Sequence, residues 1–331
     1  MQVSRLSLLL IAVSRTISSP YEDNVVKPRD SVSVGVNTED LAHLTKFAQY
    51  AGAAYCDPVA GRPVYCKGDI CPAGNHSNAT IYSVFHGIET DVLGFIAVDS
   101  TTQEIIISVR GSVSLHNWLA DVVWARQPST MCRGCWAHLG FLFACSEIAR
   151  NVNATLFSAT KLFPNYKITL TGHSLGAAVG TLLAMRLRDM GYEMDLYTYG
   201  SPRVGNEALA SYISHQKGRD WPGPSWRTRY DAAEIEVCTG YANAACNAGA
   251  PWWVLDITSH LYYFVAISHC GETEEPRLRF ANEPLNGTTA VNSSESGLDQ
   301  ATADTLAMYA KLDQEYAAAL QTSGIESDVV F

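Results

Sequence analysis

Beyond its N-terminal segment the chain has no stretch approaching the roughly 20 consecutive apolar residues that cross a bilayer as a helix, so a soluble product is expected. Positive charge is scarce: 23 Lys and Arg stand against 33 Asp and Glu, for a formal net charge of −10. No basic stripe is present that could displace the counterions of a phosphate backbone, which argues against a nucleic-acid partner. No loop of the phosphate-cradling type occurs. The C-x-x-C at Cys132-Arg-Gly-Cys135 has no second pair at metal spacing, so neither cofactor nor metal is expected. That motif also follows a loop instead of opening a helix, which favours a local disulfide over zinc or thioredoxin chemistry.

What the chain does have is bulk and sulfur. At 331 residues and 47% apolar composition it can bury one large core with room for an appendage. Its 9 cysteines, at positions 56, 66, 71, 132, 135, 145, 238, 246 and 270, suit an extracellular protein. Arg5 precedes the apolar run Leu6 to Val13, and small residues follow at Ser14 and at Ser18-Ser19, the pattern of a secretory signal over residues 1–19. Residues 20–36 are polar and contain proline, and read as a propeptide or flexible lead. Sequons at Asn75, Asn78, Asn153, Asn286 and Asn292 are compatible with glycosylation. The odd cysteine is expected to be Cys145, a small apolar side chain within the helical pattern Phe141 to Ile148.

Periodicity predicts alternating strands and helices. Thr38-Glu-Asp-Leu41 reads as a capping box that opens a helix to about Tyr55, and Cys56 to Asn78 as a loop. Strands are expected at Ile81–Phe85, Val92–Asp99 and Glu104–Arg110, the last apolar enough to be buried on both faces. A helix over 141–161 and a strand over 167–171 lead into a Gly-rich turn, a helix to Arg188, a strand at Met194–Tyr199 and a helix from Glu207 to about Gln216. Strands joined by helices through short connections point to an α/β protein with a mostly parallel, doubly wound sheet. Asp220 to Trp226 reads as loop and Thr228 to Cys238 as containing a strand. After Cys270 the composition turns polar, so residues 271–297 read as a disordered linker and 298–331 as an Ala-rich helix and tail.

The chemistry centres on Gly172-His173-Ser174-Leu175-Gly176. A G-x-S-x-G between a β-branched strand and an Ala/Leu helix holds its serine in a strained turn at the strand tip, with glycines on either side because a Cβ would strike strand or helix. Ser174 is therefore the expected nucleophile. A serine nucleophile needs a base, oxyanion donors and usually a carboxylate to orient the base. His260, heading an aromatic run, is the expected base, while His173 inside the turn is expected to point away and pack. Leu115, Trp118 and Leu119 recur at helical spacing after Ser112, and read either as core or as a lid with its apolar face toward lipid.

Four segments together resemble the secreted filamentous-fungal triacylglycerol lipases, the class 3 lipases. They are Arg110 to Asp121 (RGSVSLHNWLAD), Thr171 to Gly176 (TGHSLG), Tyr197 to Asn206 (YTYGSPRVGN) and Asp256 to Phe264 (DITSHLYYF), within a matching region from about Val36 to Cys270. The resemblance implies an α/β-hydrolase fold over residues 37–270, with Ser174 as nucleophile and His260 as base. It further implies oxyanion donation by Ser112 and the Leu175 backbone, and a lid over 113–121. It suggests disulfides Cys56–Cys270, Cys66–Cys71, Cys132–Cys135 and Cys238–Cys246. The implied activity is acyl-enzyme hydrolysis of lipid esters at a lipid–water interface by a secreted enzyme.

One departure stands out. The family's Asp-x-Val-Pro segment, which carries the triad acid, has no counterpart between Gln216 and Glu234. Asp231 has the right chain order for that acid but does not match the motif. Alternatives to an active lipase therefore stay open: a catalytically impaired paralogue or splice product, a feruloyl-type esterase, or a non-enzymatic structural protein.

Overall fold

A computed structural model describes residues 36–66, 78–111, 126–223, 230–232, 235, 260–267 and 270. Its spine is β3 (Glu104–Val109), buried at every position as its apolar run predicts. Side chains alternate across a strand. Ile105, Ile107 and Val109 thus enter one core, while Ile106 enters the other. Around β3 lie β1 (Ala79–His86), β2 (Leu93–Asp99), β6 (Lys167–His173), β7 (Met194–Tyr199) and β8 (Asp220–Pro222), in the order β1-β2-β3-β6-β7-β8. The first two pairings are antiparallel, and β3–β6, β6–β7 and β7–β8 are parallel. Two small ribbons complete the strands, β4 (Arg126–Pro128) with β5 (Trp136–His138), and β9 (Tyr262–Tyr263) with β10 (Val265–Ala266).

Helices cover both faces. On one lie α2 (Leu139–Leu162) and α3 (Leu175–Asp189), whose Phe141, Ile148, Leu156, Leu182 and Leu183 pack with Leu170 of β6. On the other lies α1 (Thr38–Ala53), with Leu44, Phe47 and Tyr50 in the second core. Thr171 of β6 donates from Oγ1 to the Phe47 carbonyl at 3.0 Å, so a strand hydroxyl ties helix to sheet. A shorter helix, α4 (Glu207–Ser214), buries Leu209 and Ile213. Because β3, β6 and β7 are parallel, their carboxyl ends at Val109, His173 and Tyr199 meet at one edge, where open α/β sheets place their sites. Among the described residues no helix is long and apolar enough to cross a membrane.

Two expectations are corrected. The N-cap of α1 is Asn37, whose side chain accepts from the Asp40 amide at 2.8 Å, so Thr38 begins the helix instead of capping it. Asp220–Pro222 is an edge strand, with Leu196 opposite Asp220 and Thr198 opposite Pro222. Tertiary pairing with β7 overrides local propensity, and an edge tolerates the proline that a central strand would not. Of the strand expected over 228–238, residues 230–232 and 235 lie outside any strand. The polar linker, the C-terminal helix, the signal segment and the polar lead fall outside the described residues.

Cys56–Cys270 and Cys132–Cys135 are disulfides, with Cα atoms 4.7 and 5.3 Å apart, and Cys145 is buried and takes part in no disulfide. Cys66 is disulfide-bonded, whereas Cys71, Cys238 and Cys246 lie outside the described residues.

Candidate active site

Ser174 stands between β6 and α3 at φ 56° and ψ −127°, a conformation that costs a non-glycine residue about 1–3 kcal/mol. The strain persists because the neighbours fix it. A Cβ on Gly172 would lie 2.6 Å from the Gly176 carbonyl oxygen. One on Gly176 would overlap the Val109 carbonyl and come within 2.6 Å of the Arg110 carbonyl carbon. Strand and helix thus approach to a distance only glycine allows. The Ser174 amide donates to the Tyr199 carbonyl at 2.9 Å, anchoring the turn to β7. Its side chain makes no capping bond to α3 although it occupies the N-cap position, so the hydroxyl is not consumed by the helix.

His260 enters from the β9–β10 side. Its ring rests against Gly200, where an added Cβ would lie 2.7 Å from Cε1 and 2.8 Å from Nδ1. Gly200 is at φ +60°, so both its conformation and its bareness are needed there. The Tyr263 hydroxyl stands 3.4 Å from His260 Nδ1, and Nε2 is buried with no hydrogen-bond partner among the described residues. Burial lowers the His260 pKa to about 4, so the imidazole is neutral.

His173 is buried as expected, but both ring nitrogens are bonded. Nδ1 lies 3.0 Å from the Tyr55 hydroxyl and Nε2 lies 2.8 Å from the His260 carbonyl oxygen. Burial, with the nearby His260 second, lowers its pKa to about 3, so this ring too is neutral. The Tyr55 oxygen in turn accepts from the Gly111 amide at 3.2 Å. Gly111 is packed so closely on the elbow that its added Cβ would lie 3.3 Å from Ser174 Cβ.

Known proteins resemble this chain in sequence and in fold. The class 3 lipase family model matches residues 106–224, from β3 through the elbow to the end of β8. The secreted mono- and diacylglycerol lipase 1 of Fusarium solani is 32% identical over 339 residues, covering 93% of this chain and 96% of its own. This chain belongs to the class 3 lipase family. The secreted mono- and diacylglycerol lipase A of Penicillium cyclopium is 38% identical over 265 residues, 70% of this chain and 87% of its own. Among solved structures, the mono- and diacylglycerol lipase from Aspergillus oryzae superposes with a TM-score of 0.63 at 29% identity, over 71% of this chain and all of that one. The lipase therefore has the α/β-hydrolase fold and is a carboxylic ester hydrolase.

The remaining expected site residues divide. Leu175 opens α3 directly after Ser174, where the first amides of a helix have no intrahelical partner. Ser112 and the lid residues Leu115, Trp118 and Leu119 lie outside the described residues, although Gly111 brings the chain to Ser174 one position before Ser112. Asp231 is exposed, and among the described residues burial is the cause of the His260 shift. Asp220, at the start of the edge strand, is turned to Arg188, 2.8 Å away. Residue-by-residue reasoning missed Tyr55 and Tyr263. Tyr263 lies three residues after His260, close enough to have been suspected, whereas nothing local marks Tyr55.

Proposed function

We propose that the lipase hydrolyses acylglycerol esters through an acyl-enzyme on Ser174. The observation that supports this most is the strained, over-determined Ser174 at the sheet edge where a buried, neutral His260 rests on Gly200, its Nε2 making no hydrogen bond to any described residue. Ser174 Oγ attacks the ester carbonyl as its proton passes to His260 Nε2. The resulting oxyanion is held by the Leu175 amide and by Ser112, donors fixed before the charge develops. His260 then gives its proton to the departing glycerol oxygen, and a water activated by the same ring releases the fatty acid. Residues 113–121 cover the site, and their apolar face turns to lipid at the interface. Asp231 is the proposed acid by chain order alone.

The names of the Fusarium solani and Penicillium cyclopium relatives favour mono- and diacylglycerols as substrates beside the triacylglycerols expected from the sequence, and support an extracellular enzyme. A side-by-side assay on emulsified mono-, di- and triacylglycerols ranks them. A rate that climbs past the solubility limit of the ester marks a lipase, and one that does not climb marks a soluble-ester esterase. The nucleophile is tested with a fluorophosphonate probe. Folded protein should label rapidly, and Ser174→Ala should abolish labelling and reduce kcat on the order of 10⁶-fold. Absence of labelling in folded wild-type protein would refute the mechanism.

A further inference from the structure

We infer that Tyr55 and His173 form a one-way hydrogen-bond relay that positions the His260 backbone and the Gly111 turn on either side of Ser174. The inference rests on the proposed roles of Ser174 and His260 and adds two positioning residues to them. Neither touches substrate.

The direction of each bond follows from which atoms can donate. A carbonyl oxygen only accepts, so the 2.8 Å contact of His173 Nε2 with the His260 carbonyl fixes the proton on Nε2. A neutral imidazole carries one proton, which leaves Nδ1 as an acceptor and makes the Tyr55 hydroxyl the donor at 3.0 Å. With its hydrogen committed, the Tyr55 oxygen offers a lone pair to the Gly111 amide at 3.2 Å. Gly111 N–H to Tyr55, Tyr55 O–H to His173, and His173 N–H to His260 thus run in a single sense, with no ambiguous link. Burial keeps His173 neutral, so the sense does not reverse at working pH.

The relay joins four separate parts of the fold. Tyr55 follows α1 and Gly111 follows β3. His173 ends β6 one residue before the nucleophile, and His260 precedes the β9–β10 ribbon. The close neighbours of the relay are aromatic: the His173 ring lies edge-on to Tyr55 and to Tyr263, with centroids 6.0 and 5.5 Å away. Such packing holds the rings but sets no register. The hydrogen bonds set it, and they matter more here because, among the described residues, the partner of His260 Nδ1 is the Tyr263 hydroxyl, at 3.4 Å.

The test uses the full chain, a soluble short-chain ester and the fluorophosphonate probe, with thermal midpoints read alongside. His173→Asn keeps an acceptor near the position of Nδ1 but cannot reach the His260 carbonyl, whereas His173→Gln places an amide N–H near the position of Nε2. The expected result is a roughly 10²-fold fall in kcat for His173→Asn, partly recovered in His173→Gln, and about a tenfold fall for Tyr55→Phe, with KM changed less than about twofold. Labelling rates should fall in the same order. Should His173→Asn not fold, Tyr55→Phe decides the matter, because it removes one oxygen from a retained ring. Wild-type kcat and labelling in Tyr55→Phe, or no advantage of Gln over Asn, overturns the relay. Failure of wild-type protein to label counts instead against the Ser174 mechanism.

Discussion

The proposed nucleophile, Ser174, and the proposed base, His260, are held in different ways. Ser174 sits between a seven-residue central strand and a 15-residue helix, with backbone against backbone at Gly172 and Gly176. His260 precedes a ribbon of two-residue strands and rests against Gly200 through its own ring and that of Tyr263. Atoms that would have to yield at the elbow are carbonyls of the sheet core. Those at the base are ends of side chains, which can swing. One half of the site is therefore as rigid as the fold, and the other is only as well placed as its side-chain contacts. The contrast puts stability at risk in the first half and turnover in the second.

Replacing Gly176 by Ala tests the rigid half and has the largest structural effect. Helix propensity favours Ala by about 1 kcal/mol, but the added methyl meets the Val109 carbonyl, so a net loss of roughly 3 kcal/mol is expected in urea unfolding. Gly200→Ala tests the other half. Its methyl meets the rings of His260 and Tyr263, so kcat should fall about 10²-fold while the thermal midpoint moves by only a few degrees.

Acidity separates the halves more gently. His173 and His260 titrate near 6.5 when unfolded but only near 3 and 4 in the fold, so between those limits the unfolded chain binds more protons. Stability is then full above pH 6.5 and is lost as pH falls through the range toward 4 and below. His173→Gln should flatten that slope by about one proton. In the same range kcat/KM for a soluble ester should hold from pH 7 to about 5, because the buried base stays neutral. A limb at or above 6.5 would instead reveal a carboxylate holding the His260 imidazolium. The smallest effect is expected at the edge strand. Asp220→Asn weakens the pair with Arg188, which keeps its bonds to the Met194 carbonyl, and should cost roughly 1 kcal/mol with kcat unchanged.

Legibility follows the same division. The β6–Ser174–α3 unit was readable because strand, turn and helix are contiguous, and each glycine has a local reason. The buried spine at β3 was readable from its unbroken apolar run. Asp220–Pro222 was misread because its strand character comes from pairing with Leu196 and Thr198, not from its own residues. Tyr55 was invisible for a related reason. Its partners Gly111 and His173 lie 56 and 118 positions away, and a tyrosine before a cysteine carries no spacing signal. His173 reads as packing because its place inside the turn points it away from the hydroxyl, yet its two nitrogens connect across the site.

The Cys56–Cys270 bridge sets an order of assembly. It closes a span of 214 residues and so removes about 5 kcal/mol of unfolded-chain entropy. Its two ends adjoin Tyr55 on one side and the ribbon following His260 on the other. A chain made from its N-terminus can finish the strands and helix around Ser174 long before residue 270 is synthesised. The bond that closes the domain ties down the segment carrying the proposed base, so protein refolded with its thiols reduced is expected to hydrolyse esters more slowly than the oxidised form.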